Sequence, residues 1–132
     1  MRITVDTNVL ARAVLRDDER QSDAAIEVLR EASLIAVPLP CLCELVWVLR
    51  RGAGLSRDAV SDAILALINA GNVVANRPAV EAGLAVHDAG GDFADGAMAH
   101  EGNWLGGATF VSFDKEAANI LSAHGRSARL LS

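Results

Sequence analysis

The chain has 132 residues, 52% of them hydrophobic and 22% charged, a length and balance that give one globular domain with a single core and exclude global disorder. Seventeen acids against twelve bases leave a formal charge of -5 and a pI near 5.1, which excludes a uniformly basic nucleic-acid binder but not a local basic patch. No apolar run reaches the roughly 18 residues of a membrane span, and Asp6 interrupts the N-terminus too early for a signal peptide, so a cytoplasmic location without membrane contact is expected.

Residues 2–5 form a short β-branched run ending in Asp6-Thr7-Asn8, a group suited to capping a following helix. Val9, Leu10, Ala13 and Val14 keep helical spacing until 16–19 break the apolar pattern. Ala24, Ala25, Val28, Leu29 and Ala32 carry a second helix. Residues 34–37 read as a buried strand stopped by Pro38 and Pro40. A helix is expected over about 41–51, ended by Gly52-Ala53-Gly54, and Ser56 caps the next, with Val60, Ile64, Leu67 and Ile68 as its core face. Residues 73–75 predict a third strand and Pro78 opens a helix to about 88. After Gly90-Gly91, residues 93–104 predict a helix, 108–112 a strand, Asp114 the start of a short helix and 128–131 a last strand. Alternating strands and helices predict an α/β sandwich around a central, mostly parallel β-sheet, flanked by helices.

In such folds ligands gather at the carboxyl ends of the strands. Four acids stand at such places. Asp6 follows the first strand, Glu44 lies in the helix after the second, Asp95 begins the helix after the Gly-Gly loop, and Asp114 follows the strand 109–113. Asp6, Asp95 and Asp114 each suit a helix N-cap or first turn without any further role. Glu44, among apolar neighbours from Cys41 to Leu49, asks for a partner, and an ion pair with Arg50, Arg51 or another arginine is the structural alternative. Clustered carboxylates repel one another and need protons or a cation. An all-oxygen set selects a hard ion, Mg²⁺ or Mn²⁺, which clamps phosphate oxygens and activates water.

Cys41 and Cys43 stand too close for an ordinary disulfide framework and read as small buried thiols. His87, His100 and His124 are too scattered for a zinc site with them. His100 falls about 140° around the helix from Asp95, off its face. Trp47 and Trp104 read as core or interface. Arg12, Arg16, Arg50, Arg51 and Arg77 are candidates to hold phosphates.

The segments Val5-Asp6-Thr7-Asn8-Val9-Leu10, Leu42-Cys43-Glu44-Leu45-Val46-Trp47-Val48-Leu49, Asp92-Phe93-Ala94-Asp95-Gly96-Ala97-Met98-Ala99 and Phe113-Asp114-Lys115-Glu116-Ala117-Ala118 resemble, in this order and over almost the whole chain, the PIN-domain ribonucleases. Within them the resemblance is to the VapC toxins of bacterial type II toxin–antitoxin pairs. It implies a single PIN domain over 1–132, a three-layer sandwich, an acidic quartet binding Mg²⁺ or Mn²⁺, cleavage of RNA, homodimerisation and a cognate VapB-type antitoxin. Asp6, Glu44, Asp95 and Asp114 match the quartet, with Asp6 and Asp95 as the most direct metal ligands and Glu44 and Asp114 completing the shell or holding waters. Thr7, Asn8 and Ser112 match the polar positions that orient it, and Asp92 stands three residues before Asp95 as a supporting acid. Ser112 replaces a commoner Thr, and Gly96 a commoner Ala, which would loosen the first helical turn. Two other readings remain at this point: a PIN fold that binds without catalysis, and a Mg²⁺-binding receiver-like signalling domain.

Overall fold

The strands are short, the first four carry β-branched or apolar residues, and each of these four is followed within a few residues by a helix opened by a polar or proline residue. The computed structural model describes all of residues Met1–Ser132. The chain forms two compact units, Met1–Asn76 and Arg77–Ser132.

In the first unit β1 (Arg2–Thr4), β2 (Leu34–Ala36) and β3 (Val73–Val74) form a parallel sheet in the order β1-β2-β3, with Ile3 opposite Ile35 and Ala36 opposite Val74. Helices α1 (Thr7–Leu15) and α2 (Glu19–Glu31) connect β1 to β2. Helix α3 (Leu39–Trp47), a π-helical turn (Val48–Gly52) and α4 (Arg57–Ile68) connect β2 to β3. Leu10, Ile35, Leu42, Leu45, Leu49, Val60 and Ile64 are almost wholly excluded from solvent. The apolar row expected on α4 is therefore core at Val60, Ile64 and Ile68.

Three boundaries differ from the periodicity. Helix α2 begins at Glu19, because Asp18 caps it by accepting from the Gln21 N–H and its first turn is polar. Helix α3 begins at Leu39, since Pro40 sits in the first turn where its missing N–H is harmless. The stretch expected to run as one helix to 51 widens into the π turn, where the Ala53 N–H reaches the Val48 carbonyl.

The second unit contains α5 (Arg77–Asp88), α6 (Phe93–Trp104), β4 (Thr109–Ser112), α7 (Lys115–Ala123) and β5 (Ser127–Leu130). Strands β4 and β5 pair in parallel, with Thr109 opposite Ser127 and Ser112 opposite Leu130. The α/β class and the parallel pairing are as expected, with the ladders divided into a three-stranded and a two-stranded sheet. Val86, Ala99 and Leu121 form a buried cluster against Phe110, Ile120 and Ala128. Trp47 and Trp104 are not core: they are 65% and 82% exposed.

Gly96 tightens this unit rather than loosening a helical turn. A Cβ there would run into the Ala82 carbonyl oxygen and lie 2.9 Å from both the Gly83 Cα and Val86 Cγ2. Gly83 in turn accommodates the Phe93 ring, whose Cε2 would stand 2.7 Å from an added Cβ. The two glycines let α5 and α6 approach closely. Gly96→Ala is expected to destabilise the protein by about 1–3 kcal/mol, the overpacking cost exceeding the roughly 1 kcal/mol that alanine gains in helix propensity. Denaturant unfolding checks this, and a variant as stable as wild type contradicts it.

Candidate active site

In the first unit the turn from β1 into α1 places Asp6 as the N-cap, with its Oδ1 accepting from the Thr7 N–H at 2.7 Å. Thr7 is buried, and its hydroxyl donates to Glu44 Oε2 at 2.8 Å. One residue thus holds two carboxylates, one through its backbone and one through its side chain. Glu44 lies on the exposed face of α3, while Leu42, Leu45, Val46 and Leu49 turn inward. Its apolar neighbours in sequence are not its neighbours in space, and its partner is the Thr7 hydroxyl rather than an arginine. Arg50 instead donates from Nη1 to the Leu55 carbonyl.

Asp6, Thr7, Asn8 and Glu44 line a cavity of about 510 Å³, together with Arg12 and Asp17. Cys41, one turn before Glu44, also belongs to this neighbourhood. Its thiol lies 3.6 Å from the Thr7 hydroxyl and donates toward the Val5 carbonyl at 3.8 Å. Burial pushes the Cys41 thiol above its ordinary value. The Thr7 hydrogen bond opposes this, and the negative charges of Glu44 and Asp6 add to the rise. The thiol therefore stays protonated at neutral pH, and the ligands available here are oxygens. Both cysteines are free and half-buried rather than enclosed in the core. Cys41, Asp17 and the wall position of Arg12 were not singled out from the motifs. The spacing of Cys41 three residues before Glu44, on one helical face, was the signal available.

In the second unit Asp92 caps α6, its Oδ1 accepting from the Ala94 N–H at 3.1 Å, and Asp95 follows in the first turn. Asp114 caps α7, with Oδ1 accepting from the Glu116 N–H at 2.9 Å and the Ala117 N–H at 3.2 Å. The Ser112 hydroxyl accepts from the Asp114 N–H at 2.9 Å, so Ser112 fixes the backbone from which this carboxylate projects. Asp95 is half-buried, and its carboxyl lies above the ordinary range, first through burial and then through the charges of Asp92 and Asp114. The three acids thus share one electrostatic neighbourhood, and Asp92 acts as a cap that also repels. His100 stands apart from them, its Nδ1 3.2 Å from Arg126 Nη2.

These residues suit a hard divalent cation. Asp6, Glu44 and Asp114 each use a single oxygen in hydrogen bonds to the protein, and Asp95 uses neither side-chain oxygen so. Neither unit by itself gathers three carboxylate, imidazole or thiol ligands into one metal-holding cluster. One or two carboxylates, with waters and substrate oxygens for the remaining positions, is the usual ligation of Mg²⁺.

The chain belongs to the PIN-domain family: the family model for the PIN domain matches residues 3–121, running through both units and all four acids. PIN domains are generally nucleases and typically use divalent metals, so the function is of nuclease type. The receiver-like reading falls with this assignment. A comparison with curated proteins finds no match. No helix is long and apolar enough to cross a membrane.

The raised Asp95 carboxyl has a consequence for stability. The folded chain takes up this proton at higher pH than the unfolded chain does, so ionised Asp95 weakens the fold at neutral pH. That penalty is lost as pH falls through the raised value toward the ordinary carboxylate value of about 4. Asp95→Asn is expected to melt a few degrees above wild type in EDTA at pH 7, with the difference closing on acidification. A variant melting below wild type at pH 7 contradicts this.

Proposed function

We propose that the protein is a Mg²⁺- or Mn²⁺-dependent endoribonuclease and the VapC-type toxin of a type II toxin–antitoxin module, with Asp6, Glu44, Asp95 and Asp114 as its catalytic carboxylates. The observation that carries this is the double hold of Thr7 on Asp6 and Glu44 in a cavity of about 510 Å³, in a chain of a nuclease family. A bound divalent ion would neutralise the carboxylates, clamp phosphate oxygens and make water a nucleophile at neutral pH. Asp6 and Asp95 would be the direct ligands, and Glu44 and Asp114 would complete the shell or hold waters. Thr7 fixes the rotamer of Glu44, Ser112 the turn that carries Asp114, and the exposed Asn8 faces the same cavity as Asp6. Hydrolysis by such a water leaves a 5′-phosphate and a 3′-hydroxyl. Attack by the RNA's own 2′-hydroxyl would leave a 2′,3′-cyclic phosphate.

With Mg²⁺ or Mn²⁺, Asp6→Asn and Asp95→Asn are each expected to lose about a hundredfold or more of RNA cleavage, since even indirect partners of metal ligands cost 10–100-fold. Mn²⁺ is expected to raise the melting temperature of wild type more than that of either variant. Cleavage retained by both variants overturns the assignment of these carboxylates. Wild-type protein that binds RNA and metal without cleaving would be a PIN fold used for binding alone.

The toxin role brings two partners, a second copy of the chain and a VapB-type antitoxin. Exposed large apolar side chains, among them Trp104 at 82%, Phe113 at 74% and Trp47 at 65%, support burial against protein partners. An antitoxin arginine would suit the carboxylates, with which its planar fork pairs bidentately. Expression of the protein alone is expected to slow growth, and co-expression with the neighbouring reading frame to relieve it. Harmless expression of an active enzyme contradicts the toxin role and leaves the nuclease standing.

A further inference from the structure

Of the arginines that the sequence offers for phosphate contact, Arg12 alone lines the cavity of Asp6, Asn8 and Glu44. It is the only basic residue there, facing a surplus of carboxylate. Its guanidinium is held in a fixed plane. Nε donates to Gln21 Oε1 at 2.6 Å, and Nη1 stands 3.0 Å from each carboxylate oxygen of Asp17. The turn that returns the chain to Arg12 is made by Arg16, which closes α1 in the left-handed region at φ 52°. Gln21, in the first turns of α2, then reaches back across the same turn.

Two of the three guanidinium nitrogens are thus occupied, and Nη2 makes no hydrogen bond to the protein. The Arg12 and Asp17 side chains are 38% and 51% exposed, so solvent reaches the pair, which adds little to stability as an ion pair. What the two partners accomplish is orientation. A planar guanidinium with one nitrogen left over presents the N–H donors of that nitrogen to a phosphate oxygen in a fixed direction, at a small loss of side-chain entropy.

We propose that Arg12 is a substrate-positioning residue that binds a backbone phosphate of the RNA through Nη2, with Asp17 and Gln21 as its orienting partners. The inference rests on the nuclease reading above. It assigns Asp17 a second effect: its charge tempers Arg12, so Asp17→Asn, which removes the charge but keeps an acceptor for Nη1, strengthens the arginine's attraction for phosphate. A purely structural tie between α1 and α2 has the opposite signature, because loss of either partner then does the same harm.

The test is the affinity of a fluorescein-labelled single-stranded RNA of mixed sequence, measured by anisotropy over a range of KCl with Ca²⁺ as the divalent ion, and with the RNA confirmed intact afterwards. Arg12→Gln is expected to weaken binding about tenfold, as for loss of a charge-assisted hydrogen bond, and to reduce the salt slope by about 0.7. Arg12→Lys should keep the slope and lose part of the affinity. Asp17→Asn should bind at least as tightly as wild type. In Mg²⁺, Arg12→Gln should raise KM more than it lowers kcat. Equal weakening by Arg12→Gln and Asp17→Asn, or an unchanged slope in Arg12→Gln, overturns the inference and leaves the nuclease reading intact. Wild-type protein that neither binds nor cleaves the RNA overturns the nuclease reading and the role of Arg12 with it.

Discussion

Within each unit carboxylates stand near one another and need something that opposes their repulsion, and it is the N–H groups at the starts of helices. Asp6, Asp92 and Asp114 each cap a helix, and Asp95 lies in a first turn. Parallel strands make this arrangement available, because each strand ends where the next helix begins and every such junction offers donors and the positive end of a helix dipole. Capping and ligation are therefore not competing explanations of these residues. The cap uses one carboxylate oxygen and leaves the other without a hydrogen bond to the protein, which keeps it available to a ligand. Asp95 shows the limit of the device. Without hydrogen bonds to its side-chain oxygens, it bears its burial and the charges of Asp92 and Asp114, and its carboxyl rises.

Thr7 makes the same economy in a single residue. Its backbone N–H serves Asp6 and its hydroxyl serves Glu44, so the geometry of one turn sets both acids of the first unit. Burial keeps that hydroxyl from competing water. Serine would keep the donor with a looser χ1, whereas valine would keep the shape and leave Glu44 without a partner. The protonated Cys41 thiol beside it fills space and satisfies the Val5 carbonyl without offering a thiolate, which keeps the ligand chemistry hard.

Most element positions were legible because they rest on local chemistry. The cap at Ser56, the proline entering α5 and the whole of α6 follow from neighbouring residues, and the structure places them so. Glu44 was legible as a site candidate for a mistaken reason. Eight apolar neighbours in sequence suggested burial, but a helix turns about 100° per residue and carries Glu44 to the exposed face. Gly96 was misread because its reason is not local: it depends on the Ala82 carbonyl of another helix. The same holds for the tie of Arg12 to Asp17 and Gln21, which exists only once Arg16 has turned the chain back. Caps and amphipathic faces are visible in a sequence. Close approaches between elements, and the partners they create, are not.

A protein of net charge -5 cannot draw a polyanion by its overall field, so any affinity for RNA must be local. The cavity around Asp6 and Glu44 makes the difficulty acute, since its carboxylates repel the same phosphates. Two kinds of positive charge can reverse this. A divalent ion is strong but exchangeable and depends on the acids being deprotonated. An arginine is permanent, and its direction can be fixed by the fold. Arg12 supplies the second kind on the wall of the cavity, about one and two-thirds helical turns beyond Asp6 along α1. Helix α1 thus presents an acid at its start and a base further along, both on the wall of one cavity. Because these groups sit on one helix, their separation is set by the backbone and not by loop conformation. The polarity of that helix therefore orders the two charges along the cavity wall.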